Sequence, residues 1–328
     1  MPRFLHFFYF CKERENKAMK TQLSNKRSWG ARLVCGWMRM HGLLPLGYHR
    51  FQARILAFLA ERVFRYRREV VTENLVHSFP EKTDAELTAI RHRFYRHFAD
   101  VFTEAVWYGG RRGKKCRERL HRSHLVEFSN PEQFNRLMSL SGQVMILSAH
   151  TGNWELVFGI PAFSYGEPLN LKVPLFEVTY RRLSNVVSDQ VVAYNRVAAL
   201  EDLGFAGYVE SEAVKPFVHA HREPGRTFLM ITDQYPYGGR QGMKVDFMHR
   251  KTQTMTAAAT LAVQYDMAVA YLRSECREDG GYRMTLVPLS ERAGGADPAA
   301  LMQRYYRLLE QDLEAQPWNY LWTHRRWK

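Results

Sequence analysis

The strongest chemical signal in the chain is the segment Ser148-Ala149-His150-Thr151-Gly152-Asn153-Trp154-Glu155. An imidazole, with an ordinary pKa of about 6.5, can take a proton from an alcohol near neutrality, which is the work of a general base. A carboxylate bonded to the ring would fix its tautomer and stabilise the imidazolium that forms. On one continuous helix, positions five apart point about 140° away from each other at 3.6 residues per turn. His150 and Glu155 can therefore meet only if His150 ends a strand and a helix begins near Gly152 or Asn153, which places Glu155 in its first turn. A single His near a Glu is more often an ordinary structural pair. No metal or other cofactor is expected. There is no H-E-x-x-H, and Cys11, Cys35, Cys116 and Cys276 are scattered with no C-x-x-C pair.

The surrounding pattern supplies the strand this geometry needs. Apolar runs at 144–149, 169–173, 227–231 and 267–272 read as buried strands, with a further one at 284–287. Helical segments fall between them at 154–161, 178–200, 213–221 and 254–265, and a last helix spans 298–315. The alternation predicts an α/β fold with a mostly parallel central sheet flanked by helices, in which ligands collect at the carboxyl ends of strands. Asp233 follows the 227–231 run, at such an end, although an Asp there also suits a turn or a cap.

The first third is different. The chain carries 47 Lys plus Arg against 33 Asp plus Glu, a net charge of +14, and residues 1–125 hold 26 of the basic and 11 of the acidic residues. The whole excess is thus N-terminal, which implies a polyanionic partner. Phe51, Ile55, Phe58, Leu59 and Val63 recur at helical spacing among Arg50, Arg54, Arg62, Arg65, Arg67 and Arg68. Such a basic, aromatic, amphipathic stretch either lies in a headgroup layer or turns its stripe to a core. Thr83-Asp84-Ala85-Glu86 is a capping box, and the helix it opens runs to Gly109-Gly110.

Aromatic residues make up 13% of the chain, which argues against disorder, and no apolar stretch approaches the ~18 residues of a spanning helix. Phe4 to Cys11 is apolar but short and lacks a cleavage site, so it does not read as a secretory signal. Translation can start at Met1 or at Met19. The organisation expected is a non-structural extension at 1–28, a basic helical membrane-associating region at 29–125, and an α/β catalytic domain at 126–328.

Four elements in order resemble the lipid A biosynthesis acyltransferases, over roughly residues 30 to 328. They are His150-Thr151-Gly152-Asn153-Trp154-Glu155; Tyr180-Arg181 with Asn185; Asp233-Gln234 followed by Gly242, Val245, Phe247 and Thr252; and the ending Pro317-Trp318-Asn319-Tyr320-Leu321-Trp322-Thr323-His324-Arg325-Arg326-Trp327-Lys328. Arg182 stands where the family's Tyr-Arg-Pro element has proline, and Gln234-Tyr235 follow Asp233 where some members have a second acidic residue nearby.

The resemblance implies an enzyme that moves a fatty acyl group from acyl carrier protein to a hydroxyl of a lipid A precursor, in secondary acylation at the cytoplasmic face of the bacterial inner membrane. It implies His150 as base and Glu155 as its partner. Gly152, Asn153, Arg181, Asn185 and Asp233 would serve substrate or oxyanion. The partners implied are the acidic carrier protein, the lipid precursor and an anionic membrane surface, with no nucleic acid. Transfer to another envelope lipid, such as a glycerophospholipid, and a non-catalytic basic membrane- or nucleic-acid-binding protein are the readings left beside it. Trp322 is expected to pack the terminal segment onto the domain.

Overall fold

The run Gln143–Ser148 is buried along its whole length, as a central parallel strand should be. The computed structural model describes residues 20–21, 27–236 and 242–327. In chain order these form β1 (Lys20–Thr21), α1 (Trp29–His41), α2 (Leu46–Phe58) with a π-helical turn at Leu59–Val63, α3 (Arg68–Ser78), α4 (Asp84–Gly109), α5 (Gly113–Ser123), β2 (Val126–Phe128), α6 (Pro131–Ser141) and β3 (Gln143–Ser148). There follow β4 (Phe176–Tyr180), α7 (Val186–Arg196), β5 (Tyr208–Glu210), α8 (Val214–Ala220), β6 (Arg226–Ile231), β7 (Met243–Phe247), β8 (Arg250–Thr254), α9 (Ala257–Gln264), β9 (Ala268–Cys276), β10 (Tyr282–Ser290) and α10 (Pro298–Ala315).

Eight strands form one sheet in the order β1-β5-β4-β6-β3-β9-β10-β2, and β7 and β8 make a separate hairpin. The sheet is parallel except where β1 meets β5 and β9 meets β10. Side chains alternate between two cores: Met145 and Leu147 join one, Val144 and Ile146 the other. The crossover leaving β3 buries Val157, Phe158 and Ile160 in the second core, whereas that leaving β6 buries Ala258, Ala259 and Leu261 in the first. The two connections run over opposite faces, so the carboxyl ends of β3 and β6 border a switch-point crevice.

Helix α4 begins as the capping box predicts. The Thr83 backbone N–H donates to Glu86 Oε2 at 2.8 Å, and the Glu86 N–H donates to Thr83 Oγ1 at 3.4 Å. Its Phe94 and Tyr95 enter the first core and Trp107 and Tyr108 the second, so this long helix spans both. Helices α1 and α2 meet the body of the protein with small residues, Ala31, Cys35, Ala53 and Ala57. Their large residues point outward: Trp29, Leu33, Trp37, Met40, Phe51, Ile55 and Phe58 are all exposed. The apolar stripe of α2 thus does not face a core. No helix among the described residues is long and apolar enough to cross a membrane.

Several expected elements shift. The run at 169–173 is not a strand; the strand comes later, as β4, and its apolar sequence merges into the segment read as the start of helix 178–200, which forms only from Val186. At 154–161 there is a turn and a 3-10 segment, Val157–Ala162, interrupted by Pro161, in place of an α-helix. β2, β5, β7 and β8 were not expected; they are short or carry polar residues, with too little periodicity to declare themselves. Within the stretch 1–28, Lys20–Thr21 pairs with β5, and the Ser28 side chain caps α1. Met1, Met19 and the apolar stretch Phe4 to Cys11 lie outside the described residues.

Candidate active site

Ser148 and Ile231 are paired in register on the adjacent parallel strands β3 and β6. Two residues beyond each, the chain reaches His150 and Asp233. Parallel neighbours lie about 4.8 Å apart, so equivalent steps past a paired position bring the two side chains within bonding reach. His150 Nδ1 lies 2.8 Å from Asp233 Oδ1 and 3.1 Å from Oδ2. Asp233 is buried, and the imidazole keeps 18% of its side-chain surface, so the ring is reachable from solvent. The Trp154 ring stands edge-on to the imidazole at 6.0 Å. The Gln234 amide nitrogen is 3.3 Å from Nε2 and 3.5 Å from Nδ1, nearly equidistant, so it rests against the ring instead of lying along one lone pair.

Burial by itself would raise the Asp233 carboxyl. The His150 ring and backbone N–H, with the Arg326 guanidinium, outweigh that and hold it below the ordinary carboxylate range. A charged carboxylate bonded to Nδ1 makes Nδ1 the protonated nitrogen of the neutral ring and leaves the Nε2 lone pair as the basic one.

Glu155 does not reach the imidazole, contrary to expectation. No helix starts at Gly152 or Asn153 to turn it back; its carboxylate instead accepts from Arg196, Nη2 at 2.6 Å and Nε at 2.8 Å. Both side chains are largely buried, and Arg196 also lies over the Phe158 ring at 4.5 Å. Glu155 therefore ties the loop after β3 to the end of α7.

The other expected residues divide. The Gly152 N–H donates to Asn319 Oδ1 at 2.5 Å, so that amide is taken and is not an oxyanion donor. Gly152 is needed for another reason: its φ is +56°, and a Cβ there would collide with the Ser274 hydroxyl. Asn153 is buried, its Nδ2 donating to Glu104 Oε2 at 3.1 Å and to the Val101 carbonyl at 3.4 Å, so it docks the loop on α4. Asn185 caps α7 by accepting from the Ser188 N–H at 2.9 Å, and Arg181 is exposed just past β4.

Helix α10 and the terminal segment brace the site. Tyr305 donates to the Ser148 carbonyl at 2.9 Å, Tyr306 to the Thr232 carbonyl at 3.2 Å, and Tyr320 to the Asp233 carbonyl at 3.4 Å. Arg326 is buried and donates to the Tyr306 hydroxyl at 2.9 Å. Trp322 is fully buried, as expected of an anchor, and its Nε1 donates to the Pro317 carbonyl. Sequence reasoning missed Arg196 and the tyrosine brace, which carry no local signal. It placed Asp233 at a strand end without pairing it to His150, because pairing requires the strand order.

No curated protein matches the sequence. The family model described as bacterial lipid A biosynthesis acyltransferase matches residues 16–328, a span that includes both strand ends, the Glu155 tether and the terminal brace. The chain belongs to the bacterial lipid A biosynthesis acyltransferases and is an enzyme that transfers acyl groups.

Proposed function

We propose that the enzyme carries a fatty acyl chain from the thioester of acyl carrier protein to a hydroxyl of a lipid A precursor, as a secondary acylation, with His150 as general base. The observation that supports this most directly is the Nδ1 contact to Asp233, which leaves Nε2 as the proton acceptor at an accessible strand end. The acceptor hydroxyl gives its proton to Nε2 as its oxygen attacks the thioester carbonyl. The oxyanion then collapses, the C–S bond breaks, and the imidazolium returns the proton to the departing sulfur. Asp233 orients the ring and pairs with the imidazolium, in the part first expected of Glu155. Base help of this kind is worth about 10²- to 10⁴-fold. Gln234 is a side-chain N–H donor at the reacting centre, and Arg181 is a guanidinium able to meet an oxyanion or a phosphate.

Residence on the cytoplasmic face of the inner membrane is part of the same reading. Its support is the outward apolar face of α1 and α2, set among arginines, an arrangement suited to the interface of an anionic leaflet. The acidic carrier protein would meet the same basic region.

The test is transfer by the purified protein from a panel of acyl carrier proteins of different chain lengths to a lipid A precursor in micelles, read by product mass. One added acyl group, absent with His150→Ala, is expected. No product from any pairing, or full rate with His150→Ala, overturns the reading.

A further inference from the structure

Arginines gather at a second place on the molecule. An open cleft of about 1550 Å³ between the start of α3 and the end of the chain is lined by Arg65, Arg67, Arg68 and Arg325, with Glu69 and Glu73 on the same wall. Arg91 also borders it, but its Nε is committed to Glu61 at 3.2 Å. Arg67 is fixed by donating to the Thr323 carbonyl at 3.0 Å. Arg65, Arg68 and Arg325 make no ion pair among the described residues. Three guanidiniums are thus left for an outside anion, above the amide-bearing end of an 11-residue helix.

The backbone is held unusually to present them. Arg65 and Arg67 have φ of +49° and +50°, in the left-handed region that side chains disfavour. The loop is pinned there by the Tyr66 N–H on the Ala60 carbonyl at 2.8 Å and by the Tyr95 hydroxyl on the Tyr66 carbonyl at 2.6 Å.

Two connections say which anion. The terminal segment runs from Tyr320, bonded to the Asp233 carbonyl, to Arg325 in the cleft, and five residues span at most about 18 Å. Asn74 fastens that segment to α3 by donating to the carbonyls of Trp322 at 2.8 Å and His324 at 3.0 Å. On the other side, Phe58, Val63, Phe64 and Tyr66, in the stretch of chain that leads from the end of α2 to the cleft arginines, are exposed. An anion bound here lies within five residues of the Tyr320 that bonds the Asp233 carbonyl, and its arginines adjoin exposed apolar side chains in the chain, a combination suited to the headgroup phosphate of an amphiphile.

We propose that this cleft is the phosphate-binding subsite for the lipid acceptor, with Arg65, Arg68 and Arg325 as the ligating side chains. The proposal rests on the acceptor reading above. Binding to it is therefore followed without turnover, by the broadening of the acceptor's ³¹P resonances when the full-length protein is added to a phosphorylated lipid A precursor in neutral-detergent micelles. Wild type broadens them, and Arg68→Gln/Arg325→Gln weakens the apparent affinity at least tenfold, while the charge-matched surface control Lys215→Gln/Lys244→Gln does not. In turnover, the cleft variant raises KM for the phosphorylated acceptor and loses preference over an enzymatically dephosphorylated one. Equal losses on both acceptors, a rise confined to KM for the acyl carrier protein, or an equal loss of binding to vesicles of neutral and anionic phospholipids overturns the subsite, the latter two in favour of protein docking or bulk adsorption. Absence of turnover in wild type with ³¹P broadening intact would count against the transfer reading alone.

Discussion

His150 bonds through Nδ1 to Asp233, 83 residues further along the chain, while Glu155, five residues away, is locked to Arg196. Sequence proximity and chemical partnership are separated here by the sheet: β3 and β6 are neighbours in register, and the loop between His150 and Glu155 turns the glutamate away.

Asp233→Asn should therefore lower kcat by about 10³- to 10⁴-fold, since an amide can hold the ring in the wrong tautomer and cannot stabilise the imidazolium. The double variant with His150→Ala should be no worse than His150→Ala alone, because the two act as a unit. Steady-state rates of the three variants check this; additive losses would separate the residues.

Glu155→Ala should act mainly on stability. It leaves the Arg196 guanidinium buried without its carboxylate, at a cost of about 3–5 kcal/mol. Arg196→Met in addition should restore part of the loss in denaturant midpoint. Asp233→Asn, by comparison, should show its larger defect in rate. A Glu155→Ala/Arg196→Met protein of recovered stability but no activity would return Glu155 to the chemistry.

Phe51→Ser/Ile55→Ser should weaken partition onto vesicles containing anionic phospholipid by about tenfold or more, with little change in melting temperature, because both side chains are already exposed. Vesicle co-sedimentation together with calorimetry separates this from unfolding.

Glu104 gives a pH dependence. Burial, with the neighbouring Asp100 charge, raises its carboxyl from an ordinary 4.5 to about 7, against the pull of the Tyr282 hydroxyl, Arg50 and Asn153. Between these values the folded protein keeps a proton that the unfolded chain has released, so this group's contribution to stability is full below about 4.5 and falls as pH rises towards 7. Glu104→Gln should flatten that decline. Melting temperatures of both proteins from pH 5 to 7.5 test it, and parallel curves would remove Glu104 as the cause.

Much of the scaffold is legible in local pattern. The run 144–149 anticipates β3 to within a residue, the capping box at Thr83 sets the start of α4, and 298–315 is α10. Such segments declare themselves because their periodicity and caps are local properties. Strand β4 was misplaced where an apolar run continues across a Pro174-containing turn, and the stripe on α2 could not say which way it faced, since amphipathicity is the same whether its apolar side meets protein or membrane.

By itself the sequence determined that His150 follows directly on a buried apolar run and that the chain has the motifs of an acyltransferase. Only the tertiary structure decided that Asp233 holds the imidazole, that Glu155 is a tether, and that the Gly152 amide is occupied by Asn319. The reason is physical: strand order and register set which distant side chains come within 3 Å of one another, and neither is written in the residues that flank the histidine.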